Sequence, residues 1–275
     1  FELIILYFLI NIFIYKNYIN FGKFINIYDS PNKRKIHKKK TPLLGGLILA
    51  LNLLLFIVLI NFNYFKPIFH SHTFIFFEDI KIYFFFAALL YLIGLMDDKF
   101  DLNPNLKLIL LSFTILLFLY FDDSSVIRDL KFSFLDNTIH LGKYSFFLSL
   151  LCYLLFINAC NMFDGINLQS SSYFLIFILF VTLIGGQSFF SLILIFSLLN
   201  FSLLNIKGKI FMGDSGIYLY AFTLGYLAIK IYNLNIINEV DTIFILMMVP
   251  GIDMLRMFVA RIIKGKNPFK PDMQH

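Results

Sequence analysis

The sequence Asn158-Ala-Cys-Asn-Met-Phe-Asp-Gly-Ile-Asn167 decides how the rest of the chain is interpreted, because it inserts a dense polar motif between apolar runs. One run, 145–157, precedes it, and a longer one begins at Tyr173. Polar side chains at the edge of a bilayer must be paired with protein groups, ions or ligands. Two explanations stay open for this motif on its own: a capped turn between helices, or a functional site.

The surroundings of this motif are typical of a polytopic membrane protein. Of the 275 residues, 59% are hydrophobic and 15% charged, and the mean hydropathy is +0.81, which excludes an ordinary soluble domain. Apolar runs of about 17 to 25 residues can cross a bilayer as helices. We therefore predict an all-α fold, a single transmembrane helical bundle of about nine spans, with the lipid bilayer as a partner and no nucleic acid. The predicted spans are 1–19, 43–62, 80–96, 106–121, 144–160, 168–186, 187–206, 214–232 and 242–260.

Basic residues predict the orientation of the bundle. Sixteen lysines and arginines lie in the segments 20–42, 97–107, 161–169, 207–213 and 256–275. The segments on the opposite side, 63–81, 122–143 and 230–241, contain six. The positive-inside rule places these five segments in the cytoplasm. All five also carry clustered Gly, Asp or Asn, so we expect one active site on the cytoplasmic face. The two cysteines, Cys152 and Cys160, belong to one apolar run and predict buried thiols rather than disulfides.

An acid pair, Asp97-Asp98, ends the third span. Adjacent residues cannot share a helix face, so we expect the two carboxylates to serve different partners, such as a metal and a proton. Solvated charges at a helix end are the alternative. Pro104 predicts the start of the next helix.

The opening motif places oxygen-bearing side chains at helical spacing. Asn158 and Asn161 lie about one turn apart, and Asp164 and Asn167 repeat that spacing after a turn at Gly165. Four such side chains can converge. Oxygen ligands suit a hard cation such as Mg²⁺, which usually takes water and substrate phosphate as its remaining ligands.

Three further segments carry cations or glycines. The basic segment ending at Lys40 is followed by Gly45-Gly46, where backbones can approach closely as a helix begins. Two roles stay open for the basic residues of this segment: they fix the topology of the chain in the membrane, or they bind a phosphorylated substrate. Gly213-Asp214-Ser-Gly216 precedes a helix and is typical of a phosphate or metal cradle made by backbone N–H groups, although it lacks P-loop spacing. Arg256 either pairs with Asp253 one turn away or, with Arg261, binds phosphate.

This inventory favours metal-dependent phosphoryl transfer between a charged soluble donor and an acceptor in the lipid. A cation- or proton-coupled transporter is the alternative from another class. Transporters place their polar groups near the bilayer midplane, whereas these cluster at one boundary, so we disfavour it.

Nearly the whole chain resembles the polyprenyl-phosphate N-acetylhexosamine-1-phosphate transferases, because the motifs of that family occur in this sequence in the family's order. That superfamily includes enzymes that begin O-antigen and teichoic-acid linkage synthesis and the phospho-MurNAc-pentapeptide translocase. The tail is similar to the GlcNAc-type branch. The matching motifs are Thr41-Pro-Leu-Leu-Gly45-Gly46, Asp97-Asp98, Asn158-x-x-Asn161-x-x-Asp164-Gly165, Phe211-Met-Gly213-Asp214-Ser-Gly216 and Asn267-Pro-Phe-x-Pro-Asp272-x-x-His275.

The resemblance implies transfer of a HexNAc 1-phosphate from a UDP-sugar to undecaprenyl phosphate, with release of UMP. It implies Mg²⁺, with Mn²⁺ as a substitute, at the bacterial plasma membrane, and a role in the first membrane step of a cell-envelope glycan such as lipopolysaccharide O-antigen or teichoic acid. Phospho-MurNAc-pentapeptide transfer is the alternative, and a homodimer stays open. A CDP-alcohol phosphotransferase is disfavoured because its helix pattern of acids does not follow Asp164-Gly165.

The resemblance also assigns roles to residues. Asp97 or Asp98 would be the base that deprotonates the lipid phosphate, and Asn161 and Asp214 would hold the metal. Phe211 would stack on uracil. The nucleotide-sugar pocket would further include Asn158, Asp164 and Asn167, and the phosphate contacts would be Lys40, Arg256 and His275.

Two departures from the family pattern stand out. Asn167 replaces an acid found in many members, and Leu168-Gln169 replaces the usual Gly-Leu. The family tail continues beyond the position of His275 as a histidine-rich motif and usually another span. Because the chain also opens at Phe1 inside an apolar run, we expect one domain, 1–275, with residues missing at both ends.

The predicted topology can be tested with reporter fusions. We expect fusions within 97–107, 161–169 and 207–213 to report a cytoplasmic position, and fusions within 122–143 and 230–241 to report the opposite side. Reporters that place the first three segments on different sides of the membrane would contradict a single cytoplasmic site.

Overall fold

The computed structural model describes residues 2–31, 39–61, 80–185 and 189–265. Within these ranges the chain is mainly helical, which confirms the predicted all-α class. The helices are α1 (Glu2–Lys16), α2 (Tyr18–Ile25), α3 (Gly45–Asn61), α4 (Ile80–Phe100), α5 (Pro104–Phe121), α6 (Ser145–Phe163), α7 (Gln169–Gly185), α8 (Phe189–Asn205), α9 (Gly213–Asn233) and α10 (Val240–Ile263).

Each of the nine predicted apolar segments coincides with a helix or with the bent pair α1 and α2. Among the described residues, α4, α5, α6 and α10 are long and apolar enough to cross a membrane, and α1 with α2, bent by 69°, would make a fifth span. The helices α3, α7 and α8 are apolar but shorter. A membrane protein is therefore supported, and the number of nine spans stays a prediction.

The connection between α4 and α5 is short and well defined. Asp101 adopts a left-handed conformation, with φ of 52°, and ends α4. The Asn103 side chain then accepts a hydrogen bond of 3.0 Å from the Asn105 N–H, and Pro104 occupies the first turn of α5, as predicted. This tight reversal brings the acids at the end of α4 beside Lys107 in α5.

Helix α9 is the centre of the bundle. Residues 215–232 are buried on every face, against α3, α4, α6 and α7. A helix buried all round has no lipid or solvent face of its own. Aromatic side chains fill the space around it: the ring of Tyr226 stacks 4.7 Å from that of Tyr83, and Phe222 meets Phe118 edge to face at 4.9 Å.

Glycines bring two neighbouring helices into backbone contact with the start of α9. A Cβ atom on Gly94 would lie 2.4 Å from the Ser215 Cα, and one on Gly46 would lie 2.8 Å from the Gly216 nitrogen. The close approach expected at Gly46 is therefore confirmed. These contacts determine where the first turn of α9 lies.

Short strands tie the ends of the bundle together. At one end β1 (Tyr28–Asp29) pairs with β2 (Thr41–Pro42), and the Phe211 N–H donates to the Pro42 carbonyl at 3.1 Å. This bond joins two of the segments predicted to be cytoplasmic. At the other end of α9, β3 (Asp129–Leu130) pairs with β4 (Ile139–His140), and the Tyr232 hydroxyl donates to the Asp129 carbonyl.

An ion pair also anchors the C-terminal end of α9. The Lys230 ammonium lies 3.0 Å from the Asp122 carboxylate at the end of α5, and both side chains are buried. The hydroxyl of Ser125 donates to the same carboxylate at 2.7 Å. A buried ion pair needs such additional hydrogen bonds to offset the loss of solvation.

We expect Gly94→Ala to destabilise the protein by about 2 kcal/mol, because the new methyl group overlaps the Ser215 backbone, which cannot move aside. The loss of stability is measured by thermal unfolding in detergent, monitored through the reaction of Cys152 and Cys160 with a thiol-specific dye. Gly251→Ala is the matched control, since a Cβ there meets open space within α10, and we expect it to be neutral or slightly stabilising. Equal melting temperatures for the two variants would contradict the packing argument.

Candidate active site

The candidate site is built around the carboxylate of Asp97, in the last turns of α4. One carboxylate oxygen lies 2.6 Å from the Lys107 ammonium and accepts a hydrogen bond of 2.9 Å from the Tyr218 hydroxyl. The other accepts from the Leu102 N–H at 3.1 Å. These bonds from three elements hold a buried, negatively charged group in one orientation.

Lys107 extends the site to Asp214, in the first turn of α9. Its ammonium lies 3.1 Å from an Asp214 carboxylate oxygen, so one cation is shared by two carboxylates. The same ammonium lies 5.2 Å from the centre of the Tyr218 ring. The Asp214 side chain keeps 29% of its surface exposed, so the cluster remains accessible.

Asn161 in α6 completes the cluster. With its amide oriented to satisfy both neighbours, the nitrogen donates to Asp214 at 2.7 Å and the oxygen accepts from Lys107 at 3.1 Å. Side chains from α4, α5, α6 and α9 therefore meet at one point. Asp97, Asn161 and Asp214, which belong to or adjoin three of the segments expected to form one site, therefore lie in one cluster.

Asp98 has a different environment from its neighbour. Its two oxygens accept hydrogen bonds from the backbone N–H groups of Asp214, at 2.7 Å, and Ser215, at 3.1 Å. The adjacent acids thus serve different partners, as predicted. The expectation that these N–H groups form an open phosphate cradle is wrong, because Asp98 already binds them.

The remaining side chains of the opening motif do not all converge. The Asn158 amide donates to the Leu154 carbonyl of its own helix at 2.8 Å, and Asn167 is exposed. Asp164 lies just beyond the end of α6, where burial and, to a smaller extent, the charge of Asp98 raise the pKa of its carboxyl to about 6. Of the four side chains predicted to converge, Asn161 lies in the cluster. Asn158 does not contribute its amide, which is bonded to its own helix.

The other predicted contacts have the following positions. Phe211 is half-buried, and its backbone is bonded to the β2 segment. Lys40 is exposed beside that strand. The Arg256 guanidinium pairs with Asp253 at 2.7 Å, so the salt-bridge alternative is realised. His275 lies outside the described residues.

The sequence interpretation missed three polar side chains. Lys107 could have been recognised as the one lysine or arginine in the apolar helix α5. Tyr218 could have been recognised because it lies one helical turn after Asp214. Asn205 joins two loops: it accepts from the Leu168 N–H at 2.7 Å and donates to the Ile210 carbonyl at 2.9 Å. Nothing in its local sequence marks that role.

The donor set fits a hard divalent cation in part. Asp214 offers a carboxylate and Asn161 an amide oxygen, which are the ligand types that Mg²⁺ prefers, but the amide oxygen accepts from Lys107 and the amide nitrogen faces Asp214. The described residues contain no group of three or more His, Cys, Asp or Glu side chains that could hold a metal by themselves. An ion held here would need water or substrate phosphate to complete its coordination.

Comparison with known proteins identifies similar sequences over most of the chain. Residues 80–232, from α4 to α9, match the family described as glycosyl transferase family 4. Undecaprenyl-phosphate alpha-N-acetylglucosaminyl 1-phosphate transferases are similar along almost the full chain. That of Salmonella typhi is 27% identical over 91% of this chain and 68% of its own length, that of Yersinia pestis 29% over 91% and 68%, and that of Thermotoga maritima 27% over 93% and 73%.

We expect Lys107→Met to destabilise the protein by about 3 kcal/mol, because it leaves two neighbouring carboxylates without their shared cation. Thermal unfolding in detergent measures this loss. Lys107→Arg keeps the charge and should lose less. Adding Asp97→Asn to Lys107→Met should restore part of the stability by removing one of the repelling charges. A Lys107→Met protein that melts at the wild-type temperature would contradict the shared-cation interpretation.

Proposed function

The chain belongs to glycosyl transferase family 4, and from that premise we propose that it transfers an N-acetylhexosamine 1-phosphate group from a UDP-sugar to undecaprenyl phosphate. In broad class it is a membrane sugar-1-phosphate transferase, as the expected superfamily implied. GlcNAc is the favoured sugar because the relatives of Salmonella, Yersinia and Thermotoga carry it in their names. The product would begin a cell-envelope glycan such as O-antigen or teichoic acid.

The cluster of Asp97, Lys107, Asn161 and Asp214 is the observation that carries this proposal. In the reaction, an acceptor phosphate oxygen forms a bond to the β-phosphorus of the donor. The bond from that phosphorus to the bridging oxygen breaks, and its electron pair leaves with UMP. Phosphoryl transfer of this kind depends on positioning and on neutralising the charge of the phosphates. The cluster offers a cation, two acids and an amide for those tasks.

The proposed roles follow from the contacts within the cluster. Asp214 and Asn161 would hold Mg²⁺, or Mn²⁺ in its place, and the bound cation would neutralise charge on the diphosphate. Asp97 would accept the proton of the acceptor phosphate. Lys107 and Tyr218 both donate to Asp97, so they orient its carboxylate and favour the ionised form that acts as a base.

The nucleotide side of the site is proposed from residues around the cluster. The half-buried ring of Phe211 would stack on uracil, and Asp164, Asn158 and Asn167 would line the pocket for the nucleotide sugar. Lys40 and His275 would be outer phosphate contacts, and Arg256 would join them by exchanging its Asp253 partner for phosphate. Both Lys40 and Arg256 expose their charged groups, which supports a role in attracting an anionic donor.

The setting of the reaction is proposed to be the cytoplasmic face of the bacterial plasma membrane. The excess of lysine and arginine on the segments that contain the cluster supports this orientation. A site where apolar helices end suits a lipid acceptor whose phosphate must meet a water-soluble donor. The family match favours this enzyme over the transporter alternative.

The test is a membrane assay with radiolabelled UDP-GlcNAc and undecaprenyl phosphate. We expect label to enter the lipid fraction only when Mg²⁺ is present, with UMP as the second product. Parallel assays with other UDP-HexNAc donors would identify the sugar. Uptake of solute by vesicles without labelling of lipid would contradict the proposal.

Asp214→Ala should reduce lipid labelling to background while the bundle stays folded, because it removes the proposed metal ligand from an exposed edge of the cluster. The measurement is the same assay, combined with a thermal melt to verify folding. Asp136→Ala removes an exposed acid from the loop between β3 and β4 and serves as the control with full activity. Magnesium-dependent turnover in the Asp214→Ala protein would refute the ligand assignment.

A further inference from the structure

The carboxylate of Asp98 accepts hydrogen bonds from two backbone N–H groups at the start of α9, and the Ser215 side chain also bonds to it. One oxygen accepts from the Asp214 N–H at 2.7 Å and the other from the Ser215 N–H at 3.1 Å. The first N–H groups of a helix have no partner within the helix and carry partial positive charge. Asp98 therefore caps α9 from a different helix, with charge-assisted hydrogen bonds.

The backbone around this contact is shaped for it. Gly213 has φ of 72°, which favours glycine, and a Cβ atom there would lie 2.8 Å from an Asp98 carboxylate oxygen. One turn before Asp98 on the same face of α4, Gly94 lets the α4 backbone touch Ser215. The absence of two side chains thus allows the carboxylate to reach the N–H groups.

Asp97 has the opposite arrangement. It points to another face of α4 and meets side chains, the Lys107 ammonium and the Tyr218 hydroxyl, which also border Asp214. The first acid therefore lies within the cluster of reacting groups. The second lies behind Asp214 and contacts its backbone.

We propose that Asp98 is a positioning residue that holds Asp214 in place by capping α9, and that Asp97 alone of the pair acts as the base. The inference rests on the proposed function. Both oxygens of the Asp98 carboxylate already accept hydrogen bonds from the first turn of α9, so they are poorly placed to accept a substrate proton as well. Its loss would displace the first turn of α9 and with it the proposed metal ligand.

The test compares side chains that can cap with one that cannot. Asn and Ser are good helix caps and Ala is not, so Asp98→Asn and Asp98→Ser should keep more function than Asp98→Ala. Binding of Mn²⁺ to the purified protein, followed by electron paramagnetic resonance, provides a readout that does not depend on turnover. We expect Asp98→Ala to weaken Mn²⁺ binding by about tenfold, the equivalent of one lost cap, and Asp98→Asn to weaken it less.

Gly213→Ala tests the same contact without changing any acid. Its methyl group would push the Asp98 carboxylate away from α9, so Mn²⁺ binding should weaken as in Asp98→Ala. This variant keeps the proposal testable if Asp98→Ala does not fold, which thermal melting would reveal. Asp136→Ala, far from α9's first turn in sequence and exposed, should bind Mn²⁺ as the wild type does.

The pH dependence of turnover separates positioning from proton transfer. Asp98→Asn should turn over more slowly than the wild type but with the same decline in rate toward acid pH. Asp97→Asn should lose turnover. The proposal is overturned if Asp98→Asn is as inactive as Asp98→Ala while both bind Mn²⁺ normally, or if the wild type does not bind Mn²⁺. If Mn²⁺ binding falls in a graded way across the Asp98 variants but the wild type has no transferase activity, the proposed function is rejected and the positioning role is kept.

Discussion

Three carboxylates, those of Asp97, Asp98 and Asp214, lie together at one end of the bundle, and their mutual repulsion must be balanced within the protein. Two different sources of positive charge do this: the Lys107 ammonium between Asp97 and Asp214, and the N-terminus of α9 against Asp98. Like charges this close and partly desolvated would otherwise favour protonation or separation. The short turn after α4, the glycine contacts and the burial of α9 all serve to bring these groups together.

This balance also relates the site to its proposed chemistry. A cluster that already pairs acids with a cation is suited to a substrate that brings two linked phosphates, since Lys107 can share its charge with them. Because the acids are attached to helices rather than to long loops, their separation is set by helix packing. Catalytic geometry built on such rigid elements is maintained without a large ordering cost on binding.

Local sequence predicted much of this structure, and the failures have a common cause. Apolar run length indicated where the helices lie, and Pro104 the start of α5. The third span was predicted to end at residue 96, yet α4 continues to Phe100 and includes both acids. The partners of Asp98 could not be predicted, because a cap provided by another helix depends on how α4 and α9 pack. The role of Asn205, which joins two loops, depends on tertiary structure in the same way.

The buried pair of Lys230 and Asp122 has a consequence for how the chain enters the bilayer. Helix α9 carries this lysine at one end and Asp214 at the other, and it is not among the helices apolar enough to cross a membrane by length and composition. A lone ammonium in lipid is costly, whereas the ammonium of Lys230 is buried within the bundle and paired with Asp122. Because α5 precedes α9 in the chain, the carboxylate that neutralises Lys230 is synthesised before the lysine itself.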